Sequence, residues 1–187
     1  MVRKQYEAGI AFEEINKHIL AGAKKVILSA PSEVDEIKTV VIGVNDSILD
    51  GSETIISNAS CTTNNAAPMI KIINDLCGIE QAYITTVHSY TTDQSLHDQP
   101  HKDLRRARGA SQSIVPTTTG AAKALTKIFP EMEGKIGGCG IRVPVPDGSL
   151  TDITFNVKRE VTIEEINAAF LNASQTHLKG ILAYTED

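Results

Sequence analysis

The stretch "ETIISNASCTTNNAAPMIKIINDLCG" (residues 53–78) runs from a short apolar segment into a helical pattern, with a single thiol, Cys61, at the corner. "ETIIS" (53–57) is β-branched and brief, as expected of a strand. "CTTNNAAPMIKIINDLCG" (61–78) places Ile70, Ile73, Leu76 and Cys77 on one helical face and ends at Gly78. Pro68 inside that segment is expected to kink the helix or delay its regular part. A strand that feeds directly into a helix is the building unit of α/β architecture.

Upstream, "KKVILSAP" (24–31) and "KTVVIGVN" (38–45) read as two more short strands, with turn-forming Asn45, Asp46, Asp50 and Gly51 before residue 53. Such nearly continuous apolar runs predict strands covered on both faces, as in a parallel sheet. Residues 3–21 read as a helix with Ala8, Ala11, Ile15 and Ile19 on one stripe, stopped at Gly22. One helix for three strands points to part of a larger α/β domain.

Downstream, "QAYITTVH" (81–88) is a strand, residues 89–113 are polar and aperiodic, and "TGAAKALTKIF" (119–129) is a helix ended by Pro130. "KIGGCGIRVPVP" (135–146) and "SLTDITFNVKR" (149–159) read as a pair of strands. Leu150, Ile153, Phe155 and Val157 of the second predict an antiparallel sheet with one covered face. The last helix is announced by a capping box, Thr162 with Glu165, and a hydrophobic staple, Val161 with Ile166. The fold class expected is α/β then α+β: part of a parallel sheet up to a boundary near residue 60, then a mixed or antiparallel sheet with helices.

Composition narrows the function. With 41% hydrophobic and 22% charged residues the chain reads as soluble and globular, and its net charge of −5 argues against nucleic-acid binding. Three widely spaced cysteines (Cys61, Cys77, Cys139) suit neither a disulfide framework nor a zinc module. The opening "MVRKQYEAGIAFEE" has no apolar run of the signal-peptide kind, and no stretch is long enough to span a bilayer. A cytoplasmic protein that binds no membrane is expected.

The polar crowd around Cys61 is unusual for a thiol, since Cys77 on an apolar face and Cys139 in a glycine-rich strand read simply as small hydrophobes. A helix N-terminus activates a thiol best when a cationic or basic partner helps, because the dipole alone supplies at most about 2 kcal/mol. Of five histidines, His88 closes a strand and opens the long loop, where catalytic side chains commonly sit. His97 and His101 have metal-like spacing, but Pro100 between them opposes a regular helix, so no metal site is expected. Lys102, Arg105, Arg106 and Arg108 form a basic cluster that reads as a solvated turn or as an anion site. "PTTTGAAKAL" (116–125) offers helix-start donors to an anion, and Arg142 stands isolated in an apolar strand. "GGCGIR" (137–142) resembles a dinucleotide loop, but the glycine pattern fails at Val143.

"SNASCTTN", "TTVHSYT", "HKDLRRARGASQSIVPTTTGAAKA", "RVPVPDGSLTD" and "LKGILAYTED" together resemble the phosphorylating glyceraldehyde-3-phosphate dehydrogenases, in family order from about Gly22 onward. The resemblance implies that Cys61 attacks the aldehyde and that His88 acts as its base. It implies that Ser60, Thr62, Thr119 and Gly120, with Arg106 nearby, hold the attacking inorganic phosphate. Thr91, Asp93 and Arg142 match positions at the phosphate ester of glyceraldehyde 3-phosphate, and Ser29 a position beside the nicotinamide. NAD is the cofactor implied, with NADP left open, and a homotetramer is the assembly implied. The resemblance also implies that residues 1–60 are a remnant of a Rossmann-type parallel sheet and 61–187 a mixed or antiparallel-sheet catalytic domain.

Two departures accompany the resemblance. Asn65 stands where many members carry a second cysteine. The glycine-rich dinucleotide loop, the acidic ribose ligand and the family's closing strand and helix are also missing, which predicts little NAD-dependent turnover and exposed apolar edges near residues 25–44. Erythrose-4-phosphate dehydrogenase, a non-catalytic remnant and a Cys/His hydrolase are the alternatives; the intact "TTTGAAKA" favours phosphate as acyl acceptor.

Overall fold

In the computed structural model, which describes residues 12–186, the strands divide between two sheets. The first is small. β1 (Val26–Leu28) and β2 (Ile55–Ser57) pair in parallel, Leu28 opposite Ser57. Helix α1 (Phe12–Leu20) covers one side, packing Ile15 on Leu28 and Ile37. The expected helix over 3–21 is described only from Phe12, and Ala8 and Ala11 of its stripe lie outside the described residues. Ile27 points away from this core and is 56% exposed, and Ile42 is exposed as well, as expected near residues 25–44.

The strand expected over 38–45 does not form. Thr39 makes one parallel bridge to Ser57, after which the chain turns. The cause is local competition from polar side chains. Asn45 accepts from the Val41 N–H at 2.8 Å and donates to the Thr39 carbonyl at 2.9 Å. Asp46 accepts from the Gly43 N–H at 2.8 Å, and Gly43 sits at φ +79°. Val40 and Val41 are still buried, so the apolar pattern marked a packed turn.

Helix α2 (Cys61–Cys77) starts at Ser60, whose hydroxyl accepts from the Thr63 N–H at 3.0 Å. It is continuous through Pro68, so the proline does not delay its regular part. The proline lacks only the N–H that would reach the Asn64 carbonyl. Burial of Ala66, Ala67, Ile70 and Ile73 on the same helix outweighs one missing bond.

The second sheet has the order β4-β5-β3-β6. β3 (Ile79–Ser89) lies at its centre, parallel to β5 (Ile136–Val143) and antiparallel to β6 (Ser149–Val157); β4 (Val115–Thr117) borders β5. The two strands expected to pair with each other, β5 and β6, are therefore separated by β3. Ala82, Ile84 and Thr86 of β3 are buried, so this strand takes the middle and has both edges satisfied. The glycines of "GGCG" allow close approach within the sheet: a Cβ on Gly138 would meet the Ile84 carbonyl at 2.8 Å, and one on Gly140 would meet Thr117 Oγ1 at 2.7 Å.

Helices α2 and α3 (Ala121–Ile128) cover one face, burying Ile70, Ile73, Ile79, Ile84, Leu125 and Met132 together. Helix α4 (Ile163–Gln175) opens with the expected capping box: Glu165 N–H to Thr162 Oγ1 at 3.2 Å, and Thr162 N–H to Glu165 Oε2 at 2.9 Å. Val161 and Ile166 both pack on the main core, as a staple requires. Leu150 departs from expectation. It is out of phase with Ile153, Phe155 and Val157, pairs with Val87 on the uncovered face, and is 60% exposed.

Candidate active site

The corner between β2 and α2 is tied down by one serine. Ser57, fully buried, donates to the Ala30 carbonyl at 2.7 Å and accepts from the Ala59 N–H at 3.1 Å. The Asn58 N–H reaches the Leu28 carbonyl at 2.9 Å. These bonds fasten the ends of both parallel strands to a tight turn in which Ala59 adopts φ 56°, a left-handed conformation rarely taken by residues with a Cβ. Asn64 braces the turn from inside the helix, donating to the carbonyls of Asn58 (2.7 Å) and Ser60 (3.0 Å). The result is an exposed Cys61 as the first residue of α2, at the positive end of its dipole.

His88 meets it. Beyond the irregularity between Ile79 and Gln81, even-numbered residues of β3 face the helices, so His88 follows Ala82, Ile84 and Thr86 toward the N-terminus of α2. Its Nε2 lies 3.4 Å from Cys61 Sγ. Arg142 is the cross-strand partner of His88 on β5, and its Nη1 lies 2.8 Å from His88 Nδ1 and 3.0 Å from the Ser89 carbonyl. Burial and then the neighbouring Arg106 hold the Arg142 guanidinium below the usual arginine range, while Asp93 and Cys61 act in the opposite direction. Cys61, His88, Arg142, Asp93 and Arg106 thus form one electrostatically connected group.

The loop between β3 and β4 has no helix or strand, yet it is well bonded. Arg106 pairs with Asp93, approaches the Thr118 carbonyl at 3.4 Å and lies 3.7 Å from Asp103. His101 Nε2 lies 3.5 Å from Asp93, and its Nδ1 accepts from the Asp103 N–H at 2.9 Å. Burial pushes the Asp93 carboxyl up, but Arg106 and His101 outweigh it and hold the group below the ordinary carboxylate range. Arg105 and Arg108 are engaged by Asp103 and Asp98, both at 3.0 Å. Much of the basic cluster seen in the sequence is therefore neutralised by aspartates interleaved with it.

The remaining expected residues fall around this group. Thr62 is buried beside Cys61, and Ser60 caps the helix. Thr91 accepts, through its carbonyl, from the Gln94 N–H at 2.9 Å in the turn that carries Asp93. Thr119 Oγ1 accepts from the Ala121 N–H at 3.2 Å, and Gly120 occupies the N-cap of α3, next to the Thr118 carbonyl that Arg106 approaches. Ser29 is exposed just beyond β1, between Leu28 and Ala30, whose carbonyls bond to the Cys61 turn. Among the described residues no cluster of His, Cys, Asp and Glu could hold a metal ion, and no helix is long and apolar enough to cross a membrane.

Three contributors were not anticipated from the sequence: Ser57, Asn64 and Ser89. Ser57 had a signal, because a serine closing an apolar strand requires buried partners. Asn64 had another, since asparagine in the first turn of a helix tends to bond to nearby backbone. The Ser89 contact runs through its backbone carbonyl, which no side-chain pattern reveals.

Comparison with known proteins shows the family. Residues 60–187 match the family described as glyceraldehyde 3-phosphate dehydrogenase, C-terminal domain. A glyceraldehyde-3-phosphate dehydrogenase of Mycobacterium avium is 57% identical over 167 residues, covering 89% of this chain and 49% of the relative. That of Mycobacterium leprae is 54% identical over 169 residues (90% and 50%), and glyceraldehyde-3-phosphate dehydrogenase 2 of Streptomyces avermitilis 53% over 175 residues (93% and 52%). The chain spans about half the length of these relatives.

Proposed function

The chain belongs to the glyceraldehyde-3-phosphate dehydrogenase family, and from that premise we propose that it carries the cysteine chemistry by which glyceraldehyde 3-phosphate, phosphate and NAD yield 1,3-bisphosphoglycerate. The observation that carries the proposal is the 3.4 Å approach of Cys61 Sγ to His88 Nε2 at the start of α2.

The residues divide the work by chemistry. Cys61 Sγ adds to the aldehyde carbon, forming a C–S bond, and the aldehyde oxygen becomes a hydroxyl. His88 Nε2, on the same side of the thiol, exchanges the proton of that hydroxyl. The hydride acceptor needed to reach the thioester is what a nicotinamide dinucleotide supplies when bound; Ser29 and the carboxyl ends of β1 and β2 are the groups that would hold its ring. Their position next to Cys61 fits a ligand crevice at the ends of parallel strands. In line with this, the β1–β2 pair is inferred to belong to a larger Rossmann-type parallel sheet, for which the exposed Ile27 provides an apolar surface.

Phosphate oxygen then attacks the thioester carbon and the C–S bond breaks, returning the Cys61 sulfur. Thr119, Gly120 and Arg106 meet at the Thr118 carbonyl and supply donors for this anion; Ser60 and Thr62 lie beside the sulfur. Arg142 serves the phosphate ester. Asp93, a carboxylate, cannot itself attract a phosphate; bonded to Arg106, it orients the guanidinium that does.

The acyl-transfer half of this scheme can be tested without cofactor. Acetyl phosphate should acetylate Cys61 and release phosphate, and added inorganic phosphate should reverse the modification. Cys61→Ser should abolish it and His88→Asn slow it by about 10²–10⁴-fold, the range of general acid–base catalysis. No acetyl-Cys61, or equal acetylation of Cys77 and Cys139, would contradict the proposal. NADH formation from glyceraldehyde 3-phosphate would then extend it to the complete reaction.

A further inference from the structure

We propose that Asp147 is a modification site: the fold places its carboxyl group to isomerise spontaneously with Gly148, and the isoaspartate formed loosens the end of β3 that carries His88. The isomerisation is independent of the role of Cys61; its effect on the thiol rests on the reading of Cys61 and His88 as the reacting pair.

The chain has two Asp–Gly pairs, Asp50–Gly51 and Asp147–Gly148. Glycine after aspartate favours this chemistry because no side chain shields the following backbone nitrogen. The reaction needs that nitrogen to reach the aspartate Cγ, and the two pairs differ in whether the fold allows it.

At Asp147 it does. The turn between β5 and β6 is exposed from Pro144 to Ser149, and the Gly148 N–H donates to Asp147 Oδ1 at 2.7 Å. The nitrogen therefore already faces the carboxyl group whose carbon it must attack. Gly148 stands at φ +88°, and a Cβ built on it would meet nothing within 4 Å, so the turn is open to water.

At Asp50 both reacting groups are engaged elsewhere. Asp50 Oδ1 accepts from the Ser52 N–H at 2.8 Å, and the Gly51 N–H donates to Glu53 Oε2 at 3.1 Å. Lys25 fixes Gly51 from its other end, donating to the carbonyl at 2.8 Å. The bonds from Ser52 also hold the Asp50 carboxyl below its ordinary range, and an ionised carboxylate accepts a nucleophile less readily than the acid.

The chemistry needs only water. The Gly148 nitrogen attacks Asp147 Cγ, a C–N bond forms, and the acid hydroxyl leaves as water with the amide proton. Water then opens the cyclic imide at either carbonyl. Opening at the side-chain carbonyl restores aspartate. Opening at the main-chain carbonyl leaves the chain running through Cβ and Cγ, a methylene longer, with the former main-chain carbonyl as a free carboxylate. The water lost is regained, and nothing is oxidised or reduced.

The site lies next to the end of β3. The Gly148 carbonyl accepts from the Ser89 N–H at 3.1 Å, and Ser149 is the cross-strand partner of His88. A methylene inserted just before Gly148 moves that carbonyl off Ser89 and releases the strand end beside His88.

The test is to age the full chain in neutral buffer, folded and in urea, and to map isoaspartate by peptide chromatography and labelling with an isoaspartyl carboxyl methyltransferase. The folded chain should accumulate isoaspartate at Asp147 and not at Asp50; in urea both should form at similar rates. Asp147→Glu, whose longer side chain closes the ring poorly, should lose the signal. In the aged folded chain iodoacetamide should alkylate Cys61 in two phases, the slower with an amplitude matching the isoaspartate fraction, and aged Asp147→Glu should keep a single phase. No isoaspartate at Asp147 in the folded chain, or as much at Asp50 as at Asp147, would overturn the site. A single phase in wild type once isoaspartate is abundant would overturn its link to His88. The peptide maps are read without acetyl transfer, so failure here is distinguishable from failure of the proposed function.

Discussion

The two sheets hold their residues in place by different means. The four-stranded sheet buries Ile70, Ile73, Ile84, Leu125 and Met132 under two helices, and its central strand is paired along both edges. The β1–β2 pair has Ile15, Leu28 and Ile37 on one side and an exposed Ile27 on the other, and it depends more on specific polar ties. Lys38 bonds to Glu53, Lys127 of α3 donates to the Ser32 carbonyl at 3.0 Å, and Ser57 spans the corner. Cys61 sits where the two meet, so the rigid sheet positions His88 and Arg142 while the polar ties set the angle at which the thiol is presented.

That contrast can be broken by mutation. Leu125→Ala or Ile70→Ala, at fully buried sites of the main core, should lower unfolding stability by about 2–5 kcal/mol in denaturant titration. Leu28→Ala should cost less, and Ile27→Ala should stay within about 0.5 kcal/mol. Equal losses at Leu125 and Ile27 would erase the distinction. Ser57→Ala removes both bonds of a buried hydroxyl and should cost about 1–3 kcal/mol. It should also slow Cys61 alkylation, which a change felt only in global stability would leave unaltered under native conditions.

Smaller effects sharpen the comparison. Thr162→Ala unmakes the capping box of α4 and should cost about 0.5–2 kcal/mol without changing Cys61 reactivity. Glu53, held by Lys38, has its carboxyl lowered from 4.5 to about 2. A depressed folded-state value means that its contribution is complete above the ordinary carboxylate range and is lost as pH falls from 4.5 toward about 2. Acid should therefore loosen the β1–β2 region, seen as faster amide exchange at Val26–Leu28, and Glu53→Gln should remove that acid-dependent step.

Much of this arrangement was legible in the sequence because it depends on local rules. The α2 pattern from Cys61 to Gly78, the α4 capping box and the apolar β3 run each state their structure within a few residues. The failures came where two local rules compete or where partners are distant. Residues 38–45 are apolar enough for a strand, but Asn45 and Asp46 satisfy the backbone first. The order of β5, β3 and β6 is a long-range choice that no periodicity within β5 or β6 encodes. Cys61 and His88 were legible as types suited to one chemistry, whereas their contact follows from β3 ending beside the start of α2. Arg142 next to His88 follows from strand register alone.

The account's central claim is that the site, and not exposure, makes Cys61 reactive. Alkylation by iodoacetamide, followed cysteine by cysteine with mass spectrometry in the folded chain and in urea, tests it most directly. Folding can only reduce access to a thiol, so acceleration on folding must come from its surroundings. Cys61 should react faster in the folded chain than in the unfolded one, with Cys77 and Cys139 slower when folded, and His88→Asn should remove the acceleration. A Cys61 that reacts no faster folded than unfolded would contradict the account.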